Sequence, residues 1–303
     1  RAALRQGAQV VVGTPGRVLD LLSQGALWLD QVRFLVLDEA DEMFDQGFAQ
    51  DVERIIERTA NSRQTALFSA TMPDWVRKLA ERYLYDPVTI TVDADAQSIS
   101  AVPHIAFDVP VPSGSRRHDD EQLAKFRALC DLLDHRGPGA VIVFGRTKQG
   151  VQLLARRLEQ AGYPVAALQG NLTQAERDHV MAAFKSGAVD ILVATNVAAR
   201  GLDLLDVTLV INFELPESAE LLTHRVGRTG RMGRSGGAIT LLAPSEARRW
   251  SQLIRNVGNR IERRPWPGAE PALAALRELI AEGQASGETE EAAAVETQAV
   301  KPA

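Results

Sequence analysis

The stretch Phe34-Leu35-Val36-Leu37-Asp38-Glu39-Ala40-Asp41 decides how the rest of the chain is read. Four apolar residues run without a polar break, and three carboxylates follow within four positions. The run is too short for a helix and does not alternate, so it reads as a strand buried on both faces of a parallel sheet. Ligands of open α/β sheets sit beyond the carboxyl ends of the strands, where Asp38 and Glu39 emerge. An Asp there suits a nucleotide-bound Mg²⁺, and an adjacent Glu suits orientation or deprotonation of an attacking water. An acidic helix start, with Asp41 and Glu42 complementing the dipole, accounts for the same residues structurally.

Upstream, Val10-Val11-Val12-Gly13 reads as a short strand. Thr14-Pro15-Gly16-Arg17 then opens a helix that stops near Gly25. Thr at the N-cap with Pro behind it suffices as a capping device. The same helix start, with Arg17 beside it, could also face a phosphate. Downstream come a helix over 50–58, a strand over 65–68 ending in Ser69-Ala70-Thr71, a helix from Pro73 and a strand over 88–92. Residues 93–103 are small and polar and read as a linker. A second unit over 104–267 alternates strands (141–144, 165–168, 191–194, 209–212, 238–243) with helical stretches, which predicts a second mostly parallel sheet covered on both faces. Residues 268–303 read as an acidic tail, with one short helix over 272–281 and disorder beyond Gly283.

The chain has 303 residues, of which 45% are hydrophobic, so one to two domains with real cores are expected. No apolar run approaches membrane-span length and no signal peptide opens the chain. A single cysteine, Cys130, excludes a disulfide framework and a Cys-rich zinc site. These features fit a cytoplasmic protein. From Gly268 onward seven Glu stand against two Lys/Arg, which is the whole of the net charge of -5. Any nucleic-acid contact must therefore come from particular placed groups rather than from overall basicity.

Taken in order, Thr14 to Arg17, Asp38 to Asp41, Ser69 to Thr71, Gln169 to Arg177, Ala194 to Asp203 and His224 to Arg231 resemble the motifs of the DEAD-box RNA helicases. The resemblance covers nearly everything from Val10 to Pro267. It implies two RecA-like domains of parallel sheet that close on ATP and single-stranded RNA, the first of them incomplete over 1–92. Asp38 would hold Mg²⁺ and Glu39 the attacking water. Asp41 would link to Ser69 and Thr71, coupling hydrolysis to closure, with His224 in the same role. Thr14, Gly16, Arg17, Gln169, Gly170, Arg177 and Thr195 would contact RNA. Gly201 and Asp203 would lie near the ribose, and Arg228 and Arg231 would meet the γ-phosphate. The family usually has Asp where this chain has Asn196, which removes any ion pair from that position.

The chain opens on Arg1 and contains no G-x-x-x-x-G-K-[ST] phosphate loop. That loop and the adenine-reading segment are therefore expected upstream of Arg1, and the 303 residues alone are expected to be inactive. The sequence leaves two other readings: a DNA helicase of the wider superfamily 2, and a non-catalytic RNA-binding or scaffold fragment.

Overall fold

The computed structural model describes residues 2–45, 47–69, 72–91, 102–112, 118–199, 207–230, 235–257 and 261–283. The chain divides into two compact units, Arg1–Thr91 and Val92–Ala303.

The first unit contains α1 (Ala2–Arg5), α2 (Pro15–Ser23), β1 (Phe34–Leu37), α3 (Ala40–Asp45), α4 (Ala49–Ile56), β2 (Gln64–Leu67) and α5 (Asp74–Tyr83). Strands β1 and β2 pair in parallel, from Phe34 opposite Gln64 to Leu37 opposite Leu67. A small core gathers Leu37, Val52, Ile56 and Leu79, with Trp75 packed at its margin. The expectation that β1 is buried on both faces is corrected: Phe34 is 71% exposed and Val36 58%. Leu35 and Leu37 point to the helices, and no described element covers the opposite face. Two predicted strands also fail. Residues 10–13 and 88–91 form no ladder, and Val12 is 94% exposed. β-Branched, apolar residues favour extended backbone, but a strand also needs a neighbour to pair with.

The second unit contains β3 (His104–Asp108), α6 (His118–His135), β4 (Ala140–Phe144), α7 (Lys148–Gln160), β5 (Val165–Leu168), α8 (Gln174–Lys185), β6 (Ile191–Ala194), α9 (Asn196–Ala199), β7 (Val207–Asn212), α10 (Ala219–Val226), β8 (Gly237–Leu242), α11 (Ala247–Leu253), β9 (Glu262–Pro265) and α12 (269–283). Among the described residues seven strands run in the order β5-β6-β4-β7-β8-β3-β9, and every pairing is parallel. Alternate residues divide between two cores, as the two-residue period of a strand requires. Ile105, Phe107, Val141, Val143, Ile191, Val193, Ile239 and Leu241 face α6, α7 and α12. Ala106, Ile142, Phe144, Leu192, Ala194, Val210, Ala238 and Leu242 face α8, α9, α10 and α11, whose Trp250 is fully buried.

The ends of this unit lie differently from the sequence reading. Val102 is already in the core, and the Pro103 carbonyl accepts from Ala238 N at 2.8 Å, so these two residues, read as linker, belong to the folded unit. Residues 92–101 lie outside the described ones. The tail helix begins at residue 269, and Ala269, Ala272, Leu273 and Leu276 are buried in the core. Burying one such leucine contributes about 1.5–3 kcal/mol, so α12 belongs to the folded unit. The stretch expected to be disordered falls, from residue 284, outside the described residues. Among the described residues no helix is long and apolar enough to cross a membrane.

His104, the first residue of β3, is buried, and burial holds its pKa down at about 3. Its ring lies edge-on to Trp250 at 6.2 Å. The folded unit therefore keeps this imidazole neutral, while the unfolded chain takes up a proton below its ordinary value of 6.5. The unfolded state then binds more protons between about pH 6.5 and pH 3, and stability falls as pH falls through that window. Each unit of pKa difference is worth about 1.4 kcal/mol at the acid end. Urea unfolding of the chain between pH 7.5 and 4.5 is expected to show this loss. His104→Gln should flatten the slope below pH 6.5; an unchanged slope would mean that other groups cause it.

Candidate functional site

In the first unit both strands end at the same side. Phe68 N donates to Leu37 O at 2.8 Å and Ala40 N to Phe68 O at 3.0 Å, which locks the two strand ends together. Asp38 and Glu39 occupy the exposed turn between β1 and α3. Glu39 has φ +51°, a left-handed backbone that non-glycine residues adopt at a cost of about 1–2 kcal/mol. Its amide donates to Asp38 Oδ1 at 3.0 Å, and no other hydrogen bond engages the Asp38 carboxylate among the described residues. One carboxylate oxygen thus remains for an outside ligand. Asp41 is buried, and its amide donates to Ser69 Oγ at 3.2 Å across the two strand ends. Thr71 lies outside the described residues.

Thr14 stands at the N-cap position of α2 but makes no side-chain cap, which corrects the reading that capping suffices to explain it. Its carbonyl accepts from Val18 N at 3.0 Å while the exposed hydroxyl is left to solvent. Gly16 has open space where a Cβ would stand, so intramolecular packing does not require a glycine there. Arg17 is exposed and pairs with Asp20, whose other oxygen accepts from Gln24 Nε2 at 2.5 Å.

In the second unit the residues singled out from sequence emerge at the carboxyl ends of adjacent parallel strands. Gln169 and Gly170 follow β5 and Thr195 follows β6; Arg146, not one of those residues, follows the neighbouring β4. The backbone ties these ends together: Gly145 N donates to Ala194 O at 3.1 Å and Thr195 N to Leu168 O at 3.3 Å. Lys148 Nζ donates to Asn171 Oδ1 at 2.9 Å and crowds Gly170, where a Cβ would stand 3.3 Å from Lys148 Cε. Thr195 is 6% exposed. Arg177, half-buried on α8, donates to Ala198 O at 2.8 Å at the end of α9, so it is more than a solvated helix residue.

His224 and Arg228 flank the carboxyl end of α10, and Arg228 Nε donates to His224 O at 3.2 Å. Thr229 and Gly236 meet closely beyond it. Thr229 Oγ1 donates to Val207 O at 2.5 Å, and a Cβ on Gly236 would stand 1.9 Å from that same hydroxyl, so only glycine fits there. Gly201, Asp203 and Arg231 lie outside the described residues.

Sequence reasoning passed over three residues that the structure joins to these loops. Arg225 is buried; its Nε donates to Asn196 Oδ1 at 2.6 Å and its Nη1 to Asn212 Oδ1 at 3.2 Å and Glu214 O at 2.6 Å. Asn196 therefore keeps a bond from its position without the charge. The Glu214 carboxylate accepts from Arg146 N at 2.6 Å. Burial lowers the Arg225 guanidinium to about 9, against the opposing pull of Glu214. The one available signal was Asn212 itself, a polar residue closing the apolar run Leu209-Val210-Ile211. Among the described residues no group of three or more His, Cys, Asp or Glu could hold a metal ion.

Residues 1–79 match the DEAD/DEAH box helicase model, and residues 124–233 match the helicase conserved C-terminal domain model. The solved structure of S. cerevisiae Dbp5 bound to RNA and ADP BeF3 is 31% identical, with a TM-score of 0.78, over 90% of this chain and 70% of that one. This chain belongs to the DEAD-box helicase family. Its two units correspond to the RecA-like domains of that family. Among curated relatives, this DEAD-box chain is 41% identical over 92% of its length to the DEAD-box ATP-dependent RNA helicase CshA of Geobacillus kaustophilus. It is 47% identical over 80% of its length to the ATP-dependent RNA helicase CshA of Listeria monocytogenes. The chain spans 58% and 45% of those two relatives, about half their length.

Proposed function

We propose that this protein is an ATP-dependent RNA helicase of the DEAD-box type, working in the cytoplasm and coupling ATP hydrolysis to local opening of RNA duplexes. The observation that carries the reading is the placing of its motif residues. Asp38, Glu39 and Ser69 in the first unit, and Gln169, Gly170 and Thr195 in the second, stand at the carboxyl ends of parallel strands, where α/β sheets bind ligands. The family supplies the chemistry, and the RNA and ADP BeF3 in the Dbp5 structure show what one member binds.

Asp38 fits a magnesium ion in the way Mg²⁺ is commonly held, by one carboxylate together with substrate phosphates and water. Its exposed carboxylate has one oxygen free of intramolecular bonds. When bound, the ion neutralises charge on the phosphates. Glu39, beside it, takes the role of orienting water for attack on the γ-phosphate. Arg228 and Arg231 meet the charge that develops there, and Gly201 and Asp203 face the ribose. Asp41, Ser69, Thr71 and His224 transmit the occupancy of one ligand to the other. Thr14, Gly16, Arg17, Gln169, Gly170, Arg177 and Thr195 serve the RNA backbone. The free hydroxyl of Thr14 and the open space before Gly16 support that assignment on the first unit.

The test is steady-state ATP hydrolysis by the protein at the full length its gene encodes, with single-stranded RNA, matched DNA or no nucleic acid. Stimulation of at least about tenfold by RNA over DNA is expected, and Mg²⁺ chelation should abolish it. Equal stimulation by DNA would favour the DNA-helicase reading. RNA binding without hydrolysis would favour a scaffold.

A further inference from the structure

A buried line of polar side chains crosses the second sheet and ends at the loops just described. It starts at His104 on β3, whose Nε2 lies 2.8 Å from Thr240 Oγ1 on β8. Thr240 Oγ1 accepts from Asn212 Nδ2 on β7 at 3.1 Å, and Asn212 Oδ1 accepts from Arg225 on α10. All four residues are less than 9% exposed, and Asn212 and Thr240 are completely enclosed. From Arg225 the line forks to Asn196 Oδ1 and to the Glu214 carbonyl.

The chemistry gives this line a direction. A guanidinium has only donors, so the Asn212 oxygen must face Arg225 and its NH₂ must face Thr240. The Thr240 hydroxyl, already accepting from Asn212, has its own hydrogen left for His104. Donation then runs one way from the buried cation to the first residue of β3, and aligned bonds of this kind reinforce one another. No carboxylate touches Arg225: its contacts are two amide oxygens, one carbonyl and the face of Phe144, 5.1 Å away. A buried cation whose direct partners are dipoles, with the Glu214 and Glu217 charges acting only at a distance, depends strongly on each dipole's aim.

Arg225 lies one turn before Arg228 and bonds the first residue of α9, directly after Thr195. We propose that Asn212 is a positioning residue for hydrolysis: by aiming Arg225, it fixes at once the start of α9 and the end of α10 that presents Arg228. The inference rests on the ATPase reading given above, and it extends the site to residues that touch neither ligand. Asn196 belongs to the same device. Its oxygen is taken by Arg225, so its NH₂ is turned away from the guanidinium.

The experiment compares three variants of the full-length protein. Asn212→Leu keeps the volume and removes both bonds. It is expected to lower RNA-stimulated kcat by about 10²-fold, the cost of misplacing a reacting group by about 1 Å, with KM for ATP within about twofold. Thr240→Ser keeps the hydroxyl and should stay within about threefold of wild type. Leu158→Ala, in the core on the opposite face of the sheet, provides a variant destabilised without touching the line. If it costs as much kcat at matched loss of melting temperature, Asn212 acts through stability alone and the proposal fails.

A second measurement does not depend on hydrolysis. In the 303-residue chain the Arg225 Nε–H should exchange with solvent about 10²-fold more slowly than that of exposed Arg156, and Asn212→Leu should erase the difference. Fast exchange in the wild-type chain overturns the anchor whatever the kinetics show. Slow exchange in a wild-type protein without RNA-stimulated hydrolysis would instead keep the anchor and sink the ATPase reading.

Discussion

Arg228→Ala is expected to lower the RNA-stimulated kcat of the full-length protein by about 10³-fold or more, the range of an arginine supplied to a phosphoryl-transfer transition state. Negative charge spreads over the γ-phosphate oxygens as the bond to the leaving group stretches. A guanidinium is permanently charged and planar, and it meets that charge with paired hydrogen bonds. The structure preorganises the group: Arg228 Nε is held by His224 O, and the following turn is pinned by Thr229 against Gly236. Arg228→Lys should recover little, because a point charge on a flexible stem does not reproduce the fork. RNA affinity without nucleotide should change by less than about threefold, since the role proposed for this arginine is on the phosphate. Both quantities are measured on the same variant. Near-normal hydrolysis with lost RNA binding would show that the loop after α10 serves the nucleic acid instead.

Glu39→Gln carries the second large effect. Losing a positioned general base costs about 10²–10⁴-fold in kcat, and a glutamine keeps the shape while removing the basicity. Binding of ATP and RNA should persist, so the variant should trap a bound complex without turnover. Glu39 also bears a backbone cost, with φ at +51°. Glu39→Gly should remove that cost and raise the stability of the first unit by about 1 kcal/mol, yet be as inactive as Glu39→Gln. A Glu39→Gly enzyme that turns over normally would remove this residue from the chemistry. A Glu39→Gly chain that is less stable would mean that the turn is not strained.

Five strands of the second sheet were readable from sequence because they are apolar runs, which announce themselves without alternation; β3, which opens on His104 and closes on Asp108, was not read as a strand. Strand β9 was not readable. Its residues Glu262-Arg263-Arg264-Pro265 are polar and it lies at the sheet edge, so it has little apolar signature. It is held instead by its ladder to β3 and by the Arg263 fork on Asp108, 2.8 Å at the closest. The opposite error arose at residues 10–13 and 88–91, where composition suggested strands and no ladder forms. Composition reports what a residue tolerates, whereas pairing depends on what lies beside it. At the site, the positions at strand ends were legible because ligand placement in parallel sheets follows from topology. The line from His104 to Asn196 was not. Its partners are separated by 13 to 136 residues, and a polar side chain in a strand carries no local sign of what it will meet.

The division of the second sheet into two cores has a consequence for how this protein can change. Helices α8, α9 and α10, on one face with α11, carry Arg177, Asn196, His224 and Arg225, and Arg228 follows the end of α10. Helices α6 and α12, on the other, bury Leu129, Leu132, Leu273 and Leu276 and carry none of those residues. Alternate positions along a single strand therefore live under different rules. Exchanging Val141 or Val143 for another aliphatic residue alters only the thickness of a packed layer; exchanging Ile142 or Phe144 moves the floor on which the arginines stand. A lineage drifting in growth temperature, or a designer seeking a hardier fold, has the layer under α6 and α12 on which to work away from those residues, whereas α7, on the same face, begins at Lys148 beside Gly170 and shares less of that freedom.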